Sequence, residues 1–99
     1  MEHAERNAIY LAARNGQFTR GAIMYAPWAP CDNCARAIIQ AGIQELVGHQ
    51  QIMDKTPDRW KESIDLAQGM LNEAGVKYRL IDEFLDAPEV LFDGKLWKP

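Results

Sequence analysis

Two short stretches carry side chains that could do chemistry together. One is Pro30-Cys31-Asp32-Asn33-Cys34, which holds the chain's two cysteines; the other is His3-Ala4-Glu5, near the first residue. A Cys-x-x-Cys step brings two sulfurs to one ion when the second cysteine lies in the first turn of a helix. Zinc takes such thiolates together with an imidazole nitrogen in a tetrahedral shell. His3, Cys31 and Cys34 would supply three protein ligands and leave the fourth position to water. That open position separates a catalytic zinc from a structural one, which is normally closed by four protein ligands. Glu5 then has a task as the acid/base that handles the protons of that water. The backbone amide of Cys31 is a candidate donor to the negative charge that develops during the reaction.

A Cys-x-x-Cys step alone also fits a redox pair, half of a structural zinc knuckle, or two buried thiols. The upstream His-x-Glu and the proline directly before Cys31 make the set specific for catalytic zinc. His49, the other histidine, could instead close the shell as a fourth ligand and make the metal structural.

These residues have to be held by an ordered framework. Residues 2–15 are helical in composition, with Ala4, Ala8, Leu11 and Ala12 on one face and Gly16 as a stop. Residues 21–26 form a short apolar strand, and Pro27-Trp28-Ala29-Pro30 a loop beyond its carboxyl end. Cys31 to Ala41 is a second helix with Ala35, Ile38 and Ile39 as its buried stripe and Gly42 as its stop. Glu45 to His49 is a second strand. Residues 50–57 are polar and end in Thr56-Pro57, a helix entry. Asp58 to Ala74 carries Trp60, Ile64, Ala67, Met70 and Leu71 at helical spacing, a core stripe, and Val76 to Ile81 is a third strand.

Alternating strands and helices predict an α/β fold of three layers, with parallel strands in a central sheet flanked by helices. Ligands of such sheets gather beyond the carboxyl ends of the strands. Cys31 lies there, at a helix N-terminus whose partial positive charge favours thiolate. His3 and Glu5 stand two residues apart, on nearly opposite sides of an ideal helix, so they require a first turn in which side chains curl toward the helix end. The tail, 82–99, fits either a hairpin around Asp93-Gly94 or a loose extension packed by Phe92 and Trp97.

The 99 residues predict a single domain, core 2–81 with an extension over 82–99. Hydrophobic residues are 47% and charged residues 25%, an ordinary globular balance. A formal charge of -3 argues against a broad nucleic-acid surface. No apolar run reaches the roughly 20 residues that span a bilayer. Two cysteines at metal spacing suit the reducing cytoplasm.

His3-Ala4-Glu5-Arg6-Asn7-Ala8-Ile9, Met24-Tyr25, Pro30-Cys31-x-x-Cys34-Ala35, Ile38-Ile39-Gln40-Ala41-Gly42-Ile43 and Asn72-Glu73-Ala74-Gly75-Val76 together resemble the deoxycytidylate (dCMP) deaminase group of the zinc-dependent cytidine deaminase superfamily. The resemblance covers roughly residues 2–81. It implies a cytidine-deaminase-like fold, zinc (Zn2+) on His3, Cys31 and Cys34, Glu5 as proton shuttle, conversion of dCMP to dUMP with release of ammonia, and a homo-oligomer. Alternatives are a zinc deaminase of a free base or tRNA adenosine, and a non-catalytic zinc-stabilised fragment. The family places a helix and two strands before His-Ala-Glu that this chain lacks, and a tyrosine-bearing segment where His49-Gln50-Gln51-Ile52-Met53 stands here. The expectation is therefore a chain truncated at its N-terminus relative to the family, or one that pairs its open sheet edge with another copy.

Four residues are candidates for contact with a pyrimidine nucleotide. Trp28 fits a stack on the base as well as a cover on the core. Arg6 and Arg36 flank the two motifs and fit a phosphate as well as solvated helix faces. Asn7 fits a sugar contact as well as a local cap.

Overall fold

A computed structural model describes residues 2–84, 88–92 and 94–98, with the backbone alone at Val90 and Leu91. The elements run α1 (Ala4–Arg14), β1 (Ile23–Tyr25), α2 (Asp32–Gln40), β2 (Glu45–His49), α3 (Gln50–Asp54), α4 (Asp58–Glu73), β3 (Lys77–Ile81), β4 (Val90–Phe92) and β5 (Lys95–Trp97). The three main strands form one sheet in the order β1-β2-β3, both pairs parallel. The expectation of parallel strands separated by crossover helices is met. Because the order is monotonic and such crossovers are right-handed, α2 and α4 lie side by side on one face.

The core follows from side-chain size. Ala35 on α2 and Ala67 on α4 are fully buried, and their small side chains let the two helices approach closely. Ile38, Leu46 and Leu71 fill the space between helices and sheet with no exposure. Each contributes about 1.5–3 kcal/mol of burial. The row Met24, Leu46 and Tyr78 runs across the sheet toward this core. Gly42, which ends α2, has φ +76°, and a side chain there would press on the Arg20 backbone at 3.2 Å. Glycine meets both demands.

Of the face of α1 read from spacing, Ala4, Ala8 and Leu11 are exposed and Ala12 is half-buried, and no residue of α1 is buried. Ile9, half-buried, meets the core instead. Within the polar segment after β2, Gln50–Asp54 makes one helical turn and a half as α3. Gln50 donates from Nε2 to Asp54 Oδ1 at 2.9 Å across it. That i, i+4 pair offers no apolar periodicity to read. Trp60, taken as core, is only half-buried and borders a cavity.

The tail takes the hairpin alternative. β4 and β5 pair antiparallel, Val90 opposite Trp97 and Phe92 opposite Lys95, with Gly94 at φ +80° in the turn. Asp93 of the expected turn lies outside the described residues. No helix among the described residues is long and apolar enough to cross a membrane.

Candidate metal centre

Two helix N-termini meet at the site. His3 is the N-cap of α1, with extended backbone (φ -66°, ψ 148°), and its carbonyl accepts the first helical bond from Asn7 N at 2.8 Å. Glu5 falls in the first turn. The expected conflict between residues two apart on a helix is removed, because His3 stands outside the helical spiral and Glu5 inside it. Cys31 is likewise the N-cap of α2 (φ -71°, ψ 173°), and Cys34 sits in its first turn. The pair Cys-x-x-Cys thus uses the same geometry as an N-cap and the third helical position, which face each other.

The side chains converge. His3 Nδ1 lies 3.5 Å from Cys31 Sγ and 3.4 Å from Cys34 Sγ. The three ligand atoms all lie within 4.8 Å of one another. Zinc bonds of about 2.3 Å to sulfur and about 2.0–2.1 Å to nitrogen, at tetrahedral angles, separate S and N by about 3.6 Å. The observed edges fit that figure. His49 is not part of the group. It ends β2, where its Nε2 meets the Glu83 carbonyl oxygen at 3.0 Å, so the fourth-ligand alternative finds no support in its position.

The metal-free site holds a protonated Cys34. Cys34 is buried, and its Sγ donates to Glu5 Oε2 at 3.8 Å. Burial pushes its thiol up to about 12, helped by a hydrogen bond with Cys31 and by the charge of Glu5, while Arg6 pulls the other way. At Cys34 desolvation is the largest cause of the shift. Two sulfurs, a carboxylate and an imidazole nitrogen gathered here are a donor set that suits a divalent metal, which would bind with loss of the Cys34 proton.

The N-terminus of α2 is pinned from α4. Asp32 N donates to Ser63 Oγ at 3.1 Å, and Ser63 Oγ donates to Asp32 Oδ1 at 2.9 Å. Beside the metal ligands opens a cavity of about 740 Å³, within the range of small-ligand pockets. His3, Glu5 and Cys31 border it on one side, and Trp28, Trp60 and Phe92 on another.

The nucleotide-contact candidates separate. Trp28 lines the cavity, half-buried, its Nε1 donating to Thr56 Oγ1 at 3.1 Å. Arg6, Asn7 and Arg36 are not among the lining residues. Arg6 Nε pairs with Glu2 Oε1 at 2.9 Å, Asn7 is exposed, and Arg36 reaches Asn33 Oδ1 at 3.5 Å beside a separate depression bordered by Met70 and Glu73. The sequence reading missed Ile52, Trp60 and Phe92 as cavity residues, and Ser63 and Thr56 as supports. Only Trp60 gave a signal, a large amphipathic ring at the first turn of a helix.

Residues 1–50 match the model of the cytidine and deoxycytidylate deaminase zinc-binding region. Over 75 residues, 76% of this chain, the sequence is 43% identical to the deoxycytidylate deaminase of Enterobacteria phage T4, covering 35% of that protein. It is 39% identical over 77 residues to the human deoxycytidylate deaminase, covering 78% of this chain and 39% of the human one. ComE operon protein 2 of Bacillus subtilis is 48% identical over 42 residues, 42% of this chain and 22% of that protein. The chain thus spans less than half the length of these relatives.

Proposed function

This chain belongs to the cytidine and deoxycytidylate deaminase zinc-binding family, and from that premise we propose that it is a zinc-dependent hydrolase of a pyrimidine nucleotide. Its reaction replaces the exocyclic amine of dCMP by oxygen from water, giving dUMP and ammonia. The observation that carries this reading is the approach of His3 Nδ1 to both cysteine sulfurs at 3.4–3.5 Å with Glu5 alongside, at the edge of a cavity.

His3, Cys31 and Cys34 hold the zinc, which when bound supplies Lewis acidity and brings the pKa of a water molecule to about 7. Glu5 takes a proton from that water with one carboxylate oxygen. It passes the proton to the ring nitrogen beside the reacting carbon, and later delivers a proton to the departing amine, which leaves as ammonia. The Cys31 backbone amide, at the head of α2, donates to the oxygen as negative charge grows on it. The aromatic side of the cavity, Trp28 included, excludes water and receives the flat base. Arg6, Asn7 and Arg36 do not border the cavity, and Arg6 stands beside Cys34, where its charge favours the thiolate.

Assembly as a homo-oligomer belongs to the same proposal. It is supported by β1, an edge strand of the described sheet whose Ile23 and Tyr25 are 45% and 69% exposed. An edge strand leaves backbone N–H and C=O groups that another copy can pair with. Two free cysteines at the site support a reducing, cytoplasmic setting.

The decisive experiment is ammonia release from a panel of dCMP, CMP, deoxycytidine, cytosine and an adenosine-containing RNA hairpin, with Glu5→Gln in parallel. The reading expects dCMP to be turned over fastest, and Glu5→Gln to keep its zinc while losing turnover. Preference for the free base or the RNA, or zinc-loaded protein inert toward all five, would sink it.

A further inference from the structure

The cavity is walled on one side by three rings that meet at Trp28. Trp60 stands edge-on to it at 6.2 Å between centroids and 83° between planes, and Phe92 at 5.1 Å and 85°. The Trp28 indole cannot swing freely, since its Nε1 is tied to Thr56. Edge-to-face packing at these distances is favourable and orients the rings. Phe92 comes from β4, in the tail, well beyond the residues 1–50 that match the family.

A two-stranded hairpin is marginal by itself, so what docks β4–β5 fixes where Phe92 stands. On β5, the Trp97 ring lies 5.8 Å from the His49 ring, and Lys55 Nζ sits 5.2 Å from the Trp97 centroid. On β4, Phe92 lies against Trp28. The hairpin is thus gripped at the carboxyl end of β2 and at the loop before Cys31.

The lining has a clear chemical character. Its charged members are Glu2 and Glu5 beside His3, and no lysine or arginine borders it among the described residues. Such a surface suits a flat uncharged ring, so a phosphate would have to be met beyond these lining residues.

We propose that Phe92 is a specificity-determining residue: with Trp28 it forms the aromatic wall that receives the pyrimidine ring, so that the C-terminal hairpin is part of the substrate site. Phe92 acts by lining the cavity and by setting the Trp28 indole. The inference rests on the deaminase reading above, and it assigns recognition of the base, not the phosphate, to this wall.

The test compares the zinc-loaded full chain with Phe92→Ala, Phe92→Leu and Phe92→Tyr. KM and kcat for dCMP are measured, with zinc per chain as the check on folding. dCMP affinity is measured separately by tryptophan fluorescence in a Glu5→Gln background, where no turnover occurs. Phe92→Ala should weaken dCMP binding and raise KM roughly fivefold to tenfold, the loss of one aromatic contact, with kcat changed less than about twofold. Phe92→Leu should fall between, and Phe92→Tyr should restore binding. If Phe92→Ala loses its zinc, Phe92→Leu with full zinc decides, and weakened binding is still required of it. Unchanged binding in a zinc-loaded Phe92→Ala or Phe92→Leu would overturn this proposal alone. A wild-type chain that carries zinc but neither binds nor deaminates dCMP would overturn the reaction assignment, and this wall with it.

Discussion

Ser63 on α4 and Asp32 on α2 grip each other in both directions, the Asp32 amide donating to the Ser63 hydroxyl and that hydroxyl donating to the Asp32 carboxylate. The clamp holds the first turn of α2, and therefore Cys31 and Cys34, at a fixed height against the helix behind it. Ser63→Ala removes the acceptor of one bond and the donor of the other. It should lower stability by about 1–2 kcal/mol and weaken zinc binding several-fold. Urea denaturation of the metal-free chain and competition with a chromophoric chelator measure the two effects separately.

Glu5→Gln keeps the size of the side chain and removes its basicity. Zinc per chain should be unchanged, while turnover of dCMP drops by about 10²–10⁴. Metal analysis and ammonia release on the same sample check both halves.

The raised Cys34 thiol makes metal capture pH-dependent. Below about pH 12 the metal-free Cys34 keeps its proton, so zinc has to displace it. Apparent zinc affinity should fall as pH drops, by up to about tenfold per unit for each proton released. Chelator competition at pH 6, 7 and 8 reads this slope directly, and Cys34→Ser should abolish tight binding at all three.

Tyr78 provides a pH signature of the core. Burial pushes its phenol up to about 12, with Glu5 adding to the shift and Gln68 opposing it. Its folded value exceeds the unfolded one, so the stability it contributes is complete below pH 10 and is lost as pH rises from there through 12. Denaturation curves at pH 9, 10.5 and 11.5 should show stability declining in the wild type. The decline should be smaller in Tyr78→Phe, whose ring stays in the core without a titrating group.

The sequence was informative where one side chain has one reason to be where it is. Gly42 after a stripe of Ala35 and Ile38 can hardly mean anything but a helix end. Leu46 and Val47 have only a strand to belong to, and β2 falls on the expected residues. His3, Cys31 and Cys34 share a chemistry that demands convergence, and they converge. Legibility failed where a residue has two reasons. Ala4 and Ala8 are spaced like core residues yet border a cavity, because the same small side chains that pack a core also leave room for a ligand. Arg6 and Asn7 lie in the motif, but neither borders the cavity: Arg6 Nε is paired with Glu2 while its charge stands close to the Cys34 sulfur, and Asn7 is exposed. Phe92 could not be placed at all, since its partner Trp28 is 64 positions away in the chain and only the docked hairpin joins them.

Helix α1 has no fully buried residue, with Ile9 half-buried against the core, and its N-cap is His3. With zinc bound, the metal links position 3 to positions 31 and 34 and closes a loop of roughly thirty residues, a constraint that for a disulfide of that span is worth about 3–4 kcal/mol in the chain-entropy picture. The ion is therefore a mechanical fastener as well as a reagent. Amide hydrogens of α1 should exchange within seconds to minutes in the metal-free chain and slow sharply on loading, while those of β2 change little. Metal occupancy would then be written along the chain as a protection pattern, legible without any substrate present.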